Sequence, residues 1–416
     1  MTIEIEEKNA ELVTTAKKLL PLVFKSSLSI TVCSVFVIWF YLSTLGRLDV
    51  FVEAIGFATL LGIVFGFTIV AFAVICILIF ISSLMLVSIV TGYENTICNY
   101  SFLKHSLIRI CLLNGCLFGP IVIGFFYLYD LTGKSGVYFF LAGSALIIIV
   151  SYLATYFLFY RSQYNRNNHT NLNSAPLLNI LMPLSLIIPA LTQIIPLSLL
   201  LAKISFQAQD GDLEQGISTA IISLIFAIIS FLPGILFISG FKKGNLLRST
   251  ILAFMIIPFC IVLLASFIPI LPLMIANMAM NLAGIADWRT HQYTIRNEVY
   301  PHSMFPGQQW NTRYYADIPD RFFITGIAMF SFGDIKLICP TSIRQAQLDN
   351  MTFNFNNQQE NRKKSEAFKS AAMPCFPIDK KDIKQWDIPL SSPIYYEKVR
   401  LTTPHLPTDI FQYLKR

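Results

Sequence analysis

The chain has 416 residues, of which 55% are hydrophobic and only 13% are charged, and its formal net charge is +7. Soluble globular proteins carry about 25% charged residues, so this composition excludes an ordinary soluble protein. The basic residues are spread along the chain and form no cluster, which argues against a nucleic-acid partner.

Residues 1–26 mix acidic and basic side chains and contain no apolar core of the kind that a cleavable signal peptide needs. We expect an amphipathic segment on the cytoplasmic side of a membrane. A frayed terminus is the alternative that the sequence leaves open.

Seven long stretches free of charged residues and histidine follow, and each is long enough to cross a hydrocarbon core about 30 Å thick. The sequence therefore predicts an all-α polytopic membrane bundle of about seven transmembrane helices over residues 27–270. The stretches are 27–46, 54–93, 110–129, 135–160, 177–202, 215–241 and 249–286.

Two stretches are longer than one crossing requires. We expect 54–93 to form one long helix, because splitting it into a hairpin would remove the charge bias between the loops described below. Prolines at 269 and 272 predict that the last span ends near Phe267 and that a membrane-surface helix or linker follows at 271–288. A second crossing by 270–286 is the alternative.

Lysine and arginine in short loops mark the cytoplasmic side of a membrane protein. With one crossing per stretch, eleven basic residues lie on the side of the N-terminus and three on the other side. We therefore expect a multi-pass protein of the plasma (inner) membrane, with the N-terminus inside and the C-terminal domain outside.

No ionisable residue lies inside the predicted spans, which argues against a proton- or ion-coupled pump. Prolines at 183, 189 and 196 predict a break in the fifth span near Gln193, and broken helices line binding sites in many transporters. The possible pore- or substrate-lining residues are Asn114, Pro189, Thr192 and Gln193. Hydrogen bonding to a neighbouring helix is the alternative role for these polar groups.

Residues 289–416 are polar and predict a small soluble α+β domain. Arg321–Phe330 and Asp334–Cys339 flank a glycine-containing turn and predict a hairpin. Tyr293–Tyr300 is a third candidate strand, 356–372 has the composition of a helix, and the prolines from Pro374 onward predict an extended arm without regular structure.

Only two cysteines, Cys339 and Cys375, lie in this domain. An exported domain is compatible with one disulfide between them, and two unpaired thiols are the alternative.

The run from Tyr300 to Tyr315 is rich in aromatic residues, a composition typical of protein interfaces. Packing of these rings on the domain core is the alternative. The possible partner-binding residues are Tyr300, Phe305, Trp310, Arg313, Tyr314 and Tyr315.

No catalytic, metal-binding or cofactor-binding sequence pattern is present, and we expect no cofactor. A metal site formed by His291, His302 and His405 with Asp287 or Asp317 is the alternative, although these residues lack the usual ligand spacing. The sequence favours a non-catalytic membrane interaction protein that presents its outer domain to a protein partner, as immunity, envelope-assembly or receptor proteins do. It is embedded in the lipid bilayer, and a homo-oligomer is compatible with it. A channel or transporter for a neutral or apolar solute is the first alternative, and an enzyme acting on lipid-linked substrates is the second.

Overall fold

The structure is a computed structural model. It describes residues 27–55, 58–93, 188–201, 213–240, 246–315, 318–354, 357–387 and 397–398, with isolated positions between 108 and 185 and at 203.

The described residues fall into two compact units. The helical unit contains those between 72 and 272 together with 352–358. The sheet unit contains those of 26–71, 273–351 and from 359 onward. The first predicted span therefore belongs to the same unit as the polar C-terminal region, whereas the sequence divided them into separate domains.

Apolar helices form the first part of the chain. They are α1 (Ser27–Leu45), a 3-10 turn (Leu48–Val50), α2 (Phe51–Ile55), α3 (Ala58–Gly92), α4 (Ile188–Leu191), α5 (Ile194–Leu201), α6 (Leu213–Gly240), α7 (Leu246–Phe267) and α8 (Ile270–Leu282).

Three helices in the described part of the chain are long and apolar enough to cross a membrane: Leu61–Gly92, Ile221–Gly240 and Ser249–Phe267. Seven spans were predicted, and the structure supports three. Of the other stretches, 110–129 lies outside the described residues, and 135–160 and 177–202 are described only in part. The first stretch forms α1, whose C-terminal half is buried by protein.

The second predicted span is helical over 35 residues, Ala58–Gly92. A local kink occurs at Phe80, where the backbone leaves helical geometry. The helix after the last span, α8, has 13 residues, which gives a length of about 20 Å. That is shorter than the hydrocarbon core.

The sheet unit contains a seven-stranded antiparallel sheet in which β5, β4, β3, β1 and β6 are neighbours in that order, and β2 pairs with both β3 and β7. The strands are β1 (Asp287–Arg296), β2 (Arg313–Tyr314), β3 (Arg321–Phe332), β4 (Ile335–Cys339), β5 (Phe376–Asp379), β6 (Ile383–Gln385) and β7 (Glu397–Lys398). Between them lie a 3-10 turn (His302–Met304) and the helices α9 (Gly307–Trp310), α10 (Ile343–Asn350) and α11 (Gln358–Ala372).

The predicted hairpin of β3 and β4 is confirmed, and its turn is tighter than expected. Two residues, Gly333 and Asp334, separate the strands, and Gly333 has φ +57°. A positive φ costs glycine no steric energy, which explains how the chain reverses at this position.

Two strand predictions were wrong in extent. The first strand begins at Asp287, six residues before the predicted start at Tyr293, because it pairs with β3 at Asp287 and again from Thr290 to Arg296. The region after Pro374 contains β5, β6 and β7, where an irregular arm was predicted. Pro377 is tolerated because β5 lies at the edge of the sheet, where one row of backbone N–H groups is not needed for pairing.

One face of the sheet packs against the ends of three apolar helices. The buried helical residues are Ile38, Tyr41, Leu42 and Leu45 of α1, Leu61 and Val64 of α3, and Met280 of α8. Helix α11 anchors on the same cluster through Phe368 and Ala372. The opposite face carries a second core, which includes Tyr293, Ile295, Phe305, Trp310, Phe322 and Ile324.

Candidate functional site

A buried arginine fastens α1 to the C-terminal part of the chain. Arg47, just after α1, is 9% exposed. Its Nη1 donates hydrogen bonds to the carbonyl oxygens of Ala372 and Cys375, at the end of α11 and before β5. Its Nη2 lies 2.7 Å from Asp49 Oδ2, and this guanidinium lowers the pKa of the Asp49 carboxyl. One side chain therefore satisfies two carbonyls and one carboxylate.

A second polar contact lies beside it. The buried hydroxyl of Tyr41 donates a hydrogen bond of 2.6 Å to the Met329 carbonyl of β3. The end of α1 is thereby joined to the central strand of the sheet.

The two cysteines of the polar region form a disulfide. Cys339 ends β4 and Cys375 precedes β5, so the bridge links neighbouring strands at one end of the sheet. Both residues are buried in the core that α1 completes, and Arg47 contacts the Cys375 carbonyl.

The aromatic run that was a candidate partner surface is divided by the fold. Phe305 and Trp310 are fully buried, and their rings meet edge to face at 5.2 Å. Gly326 of β3 makes room for Trp310, since a Cβ there would approach the indole and clash with Ile338. Tyr300 packs edge to face on Phe376 of the same core. These three rings therefore pack on the core of the sheet unit, which was the alternative to a role in partner binding.

Arg313, Tyr314 and Tyr315 are half-buried and remain candidates for partner contact. Tyr315 packs edge to face on Phe323 of β3, at 5.2 Å between ring centroids. Phe323 also contacts Trp386, which follows β6 and is 40% exposed. Strand pairing places Arg313 directly opposite Phe323.

These rings belong to a region that we call the distal sheet face, because it lies at the end of β3 away from the α1 contact. Cross-strand partners project from the same side of a sheet. The register pairs Arg296 with Arg321, Thr294 with Phe323, and Thr294 with Lys384. The distal sheet face comprises Arg296, Arg313, Tyr315, Arg321, Phe323, Lys384 and Trp386.

A histidine held between two carboxylates lies on the other face, at the start of β1. His291 Nε2 is 2.9 Å from Asp287 Oδ2, and its Nδ1 is 2.7 Å from Asp387 Oδ2. Asp287 also accepts hydrogen bonds from Arg289, which lower its pKa to about 2. This cluster ties the first strand to the segment after β6.

Within the described residues, no three His, Cys, Asp or Glu side chains cluster in a way that could hold a metal ion. His302 bonds to Asn297, while His405 and Asp317 lie outside the described residues.

The predicted break in the fifth span is present. Helices α4 and α5 are separated at Thr192 and Gln193. Gln193 is fully buried, and its Nε2 donates to Ser230 Oγ of α6 at 2.6 Å. Thr192 Oγ1 lies 3.1 Å from Ser82 Oγ of α3.

This geometry agrees with the alternative role of bonding between helices, with one exception. Gln193 Oε1 is buried and has no hydrogen-bond partner among the described residues. Pro189 is also buried, whereas Asn114 lies outside the described residues.

Several of the contacts above were missed by sequence reasoning. Arg47 was counted only as a loop charge, and Asp387 and Trp386 were assigned to an irregular arm. Their partners lie between 63 and 328 residues away in the chain, so local sequence patterns carry no signal for them.

Comparisons of this chain with protein-family models, with curated proteins and with solved structures find no match.

Proposed function

We propose that the protein is a non-catalytic interaction protein of the plasma membrane, and that its sheet domain contacts a protein partner on the extracytoplasmic side. The N-terminus lies in the cytoplasm, and about seven helices anchor the chain. The observation that carries the proposal is the distal sheet face, where Trp386, 40% exposed, packs on Phe323 beside half-buried Tyr315. Tryptophan, tyrosine and arginine dominate the energetics of protein interfaces.

The contacts of the sheet unit support this orientation. The C-terminal end of α1, the N-terminal end of α3 and the C-terminal end of α8 all pack on one sheet core. These three ends therefore belong on the side of the membrane that holds the sheet. If α1 crosses from a basic cytoplasmic segment, that side is outside. The disulfide supports the same assignment, since disulfides persist in oxidising compartments.

The length of α8 supports an odd number of crossings. A helix of 13 residues, about 20 Å long, is too short to return through a hydrocarbon core of about 30 Å. This length supports a chain that does not cross the membrane again between the last span and β1.

Site-specific photocrosslinking in living cells tests the partner surface. A benzophenone amino acid at Trp386 places the probe in the centre of the distal sheet face. We expect one discrete crosslinked protein adduct. The same probe at Leu348 of α10, which is 53% exposed and off this face, is the matched control and should give none. Equal adduct patterns at both positions, or no adduct at Trp386, would contradict the proposal.

A second candidate function, transport of a neutral solute, is favoured by one observation. Gln193 Oε1 is a buried acceptor without a partner among the described residues, at the point where α4 and α5 separate. Half-helix ends with unused polar groups are the elements from which transporters build binding sites.

Proteoliposome uptake of small neutral solutes tests this candidate. We expect Gln193→Leu to abolish an uptake that Gln193→Asn partly retains, because asparagine keeps the amide. The control is Ser239→Ala, which removes a hydroxyl bonded only within α6. Uptake that is absent from the unmodified protein, or unchanged by Gln193→Leu, would reject transport through this site.

A further inference from the structure

We propose that the distal sheet face binds an acidic segment of the partner protein, and that Arg296, Arg321 and Lys384 receive its carboxylates. This inference rests on the proposed function, and it adds the chemistry of the partner.

The strand register concentrates positive charge on this face. Arg296 of β1 and Arg321 of β3 are direct cross-strand partners, so their Cβ atoms lie about 5 Å apart. Like charges opposite one another destabilise a sheet. Lys384 lies on the same side, opposite Thr294, the next position of β1 on that face. A bound carboxylate between the two guanidinium groups would convert repulsion into attraction.

Within the described residues, one ion pair forms at this face. Asp382 Oδ1 lies 3.4 Å from Arg296 Nη1, while half of the Arg296 side chain stays exposed. Arg321 and Lys384 form no ion pair among the described residues. Lys384 is exposed and Arg321 is half-buried. Two of the three cations are therefore available to a ligand.

The location argues against the host membrane as the source of the anion. The end of α1 contacts β3 at Met329, and Arg321 is eight residues further along the same strand. At about 3.3 Å per residue, the two points are about 26 Å apart. Headgroups that surround α1 would therefore be nearer to Met329 than to Arg321.

The side chains beside the cations argue for a protein. Arginine forms paired hydrogen bonds with the flat carboxylates of aspartate and glutamate. Trp386 gives an apolar anchor next to them, with its ring 6.2 Å from that of Phe323. Cations around a partly exposed aromatic centre are the usual composition of a protein interface. A sulfated polysaccharide offers the same charge without the apolar contact.

Binding of defined anions to the full-length protein in neutral-lipid nanodiscs tests the inference. The probes are a short fluorescent peptide of alternating glutamate and tyrosine, heparin, and vesicles that contain phosphatidylglycerol. We expect the peptide to bind. Arg321→Glu should weaken its affinity about tenfold or more, the equivalent of one lost charge pair. Lys363→Glu, the same charge change at an exposed site on α11, should leave it unchanged.

Arg321→Gln guards against a folding defect. Because this substitution removes a like-charge pair, it should weaken the binding of the peptide. The melting temperature of the free protein should be equal to or higher than that of the unmodified protein. Peptide binding that is insensitive to both Arg321 variants, or heparin or vesicles binding more tightly than the peptide, would overturn the inference.

The crosslinking assay separates the two proposals. A Trp386 adduct that persists undiminished in the Arg321→Glu background would leave the proposed function standing and reject an acidic partner. Loss of the adduct in Arg321→Glu but not in Lys363→Glu would support both.

Discussion

Single residues carry the connection between the apolar helices and the sheet. Arg47 is the clearest example, because it is a charge buried among carbonyl oxygens and not one exposed in a loop. Burial of a charge costs several kcal/mol unless its donors are satisfied. These donors are satisfied by Ala372, Cys375 and Asp49. Removal of the Arg47 side chain would therefore leave these three acceptors without their hydrogen-bond donor.

Arg47→Met should lower the stability of the protein by about 2–4 kcal/mol, since two buried carbonyls and Asp49 lose their donor. Arg47→Lys should have a stability between that of Arg47→Met and that of the unmodified protein, because an ammonium lacks the planar fork that reaches all three groups. Thermal unfolding in detergent measures both. Arg289→Met is the control, since its ion pair with Asp287 is 80% exposed on the arginine side and exposed ion pairs contribute little to stability. Equal losses at both arginines would contradict this role for Arg47.

Asp287 makes the sheet sensitive to acid. Arg289 and His291 hold its folded pKa at about 2, below the value of about 3.9 in an unfolded chain. A depressed carboxyl pKa stabilises the fold above the unfolded pKa, and this contribution is lost as the pH falls toward the folded one.

Melting temperatures should therefore fall between about pH 4 and pH 2, and fall less in Asp287→Asn than in the unmodified protein. Because the Asp287 side chain is 32% exposed, solvent screens its interactions, and the difference should stay within about 1 kcal/mol. Identical pH profiles for the two proteins would exclude this ion pair as a source of acid sensitivity.

At the scale of secondary structure, the elements that could be predicted are those that depend on residues close in the chain. The hairpin of β3 and β4, the long helix α3 and the break between α4 and α5 were predictable, because each depends on residues close in the chain. Strand β5 was missed because Pro377 was taken as a sign of irregular structure. Its position at the sheet edge, which makes the proline harmless, depends on the order of strands.

The disulfide staples two of these elements. Cys339 and Cys375 are 36 residues apart, and closing a loop of that size stabilises a fold by about 3–4 kcal/mol in the chain-entropy model. Cys339→Ser with Cys375→Ser should lower the melting temperature accordingly, whereas Cys33→Ser, which removes an exposed free thiol of α1, should not. A maleimide-labelling gel of freshly isolated membranes provides the direct check. Labelling of Cys339 and Cys375 without reductant would show that the bridge is not formed in cells.

At the scale of the whole molecule, the sheet unit is built from both ends of the chain. Residues of α1 and α3 complete a core whose other half comes from β3, β4 and α11. The core of the polar C-terminal region is therefore formed in part by residues from outside that region. A fragment that begins after α8 would expose the apolar surface that Ile38, Leu42 and Leu45 cover, at a cost of roughly 25 cal/mol per Å².

Reporter fusions at Arg416 test the orientation of this unit in a bacterial host. We expect the alkaline phosphatase fusion to be active, because this enzyme requires export. We expect the green fluorescent protein fusion not to fluoresce, because this protein folds in the cytosol. Fusions at the N-terminus should give the reverse result. Fluorescence confined to the Arg416 fusion would require the sheet, the disulfide and the distal sheet face to be reassigned to the cytoplasm.

The sequence by itself determined that the chain contains helices long and apolar enough to cross a membrane and a polar C-terminal region that forms a sheet, because uncharged apolar runs, a glycine turn and proline spacing act through residues close in the chain. Tertiary structure alone decided that Phe305 and Trp310 are core, that Arg47 is buried, and that Arg296 faces Arg321. Each of these depends on pairing between residues distant in sequence. Such contacts follow from how the strands are ordered and how the helix ends cover one face, and no local pattern encodes that order.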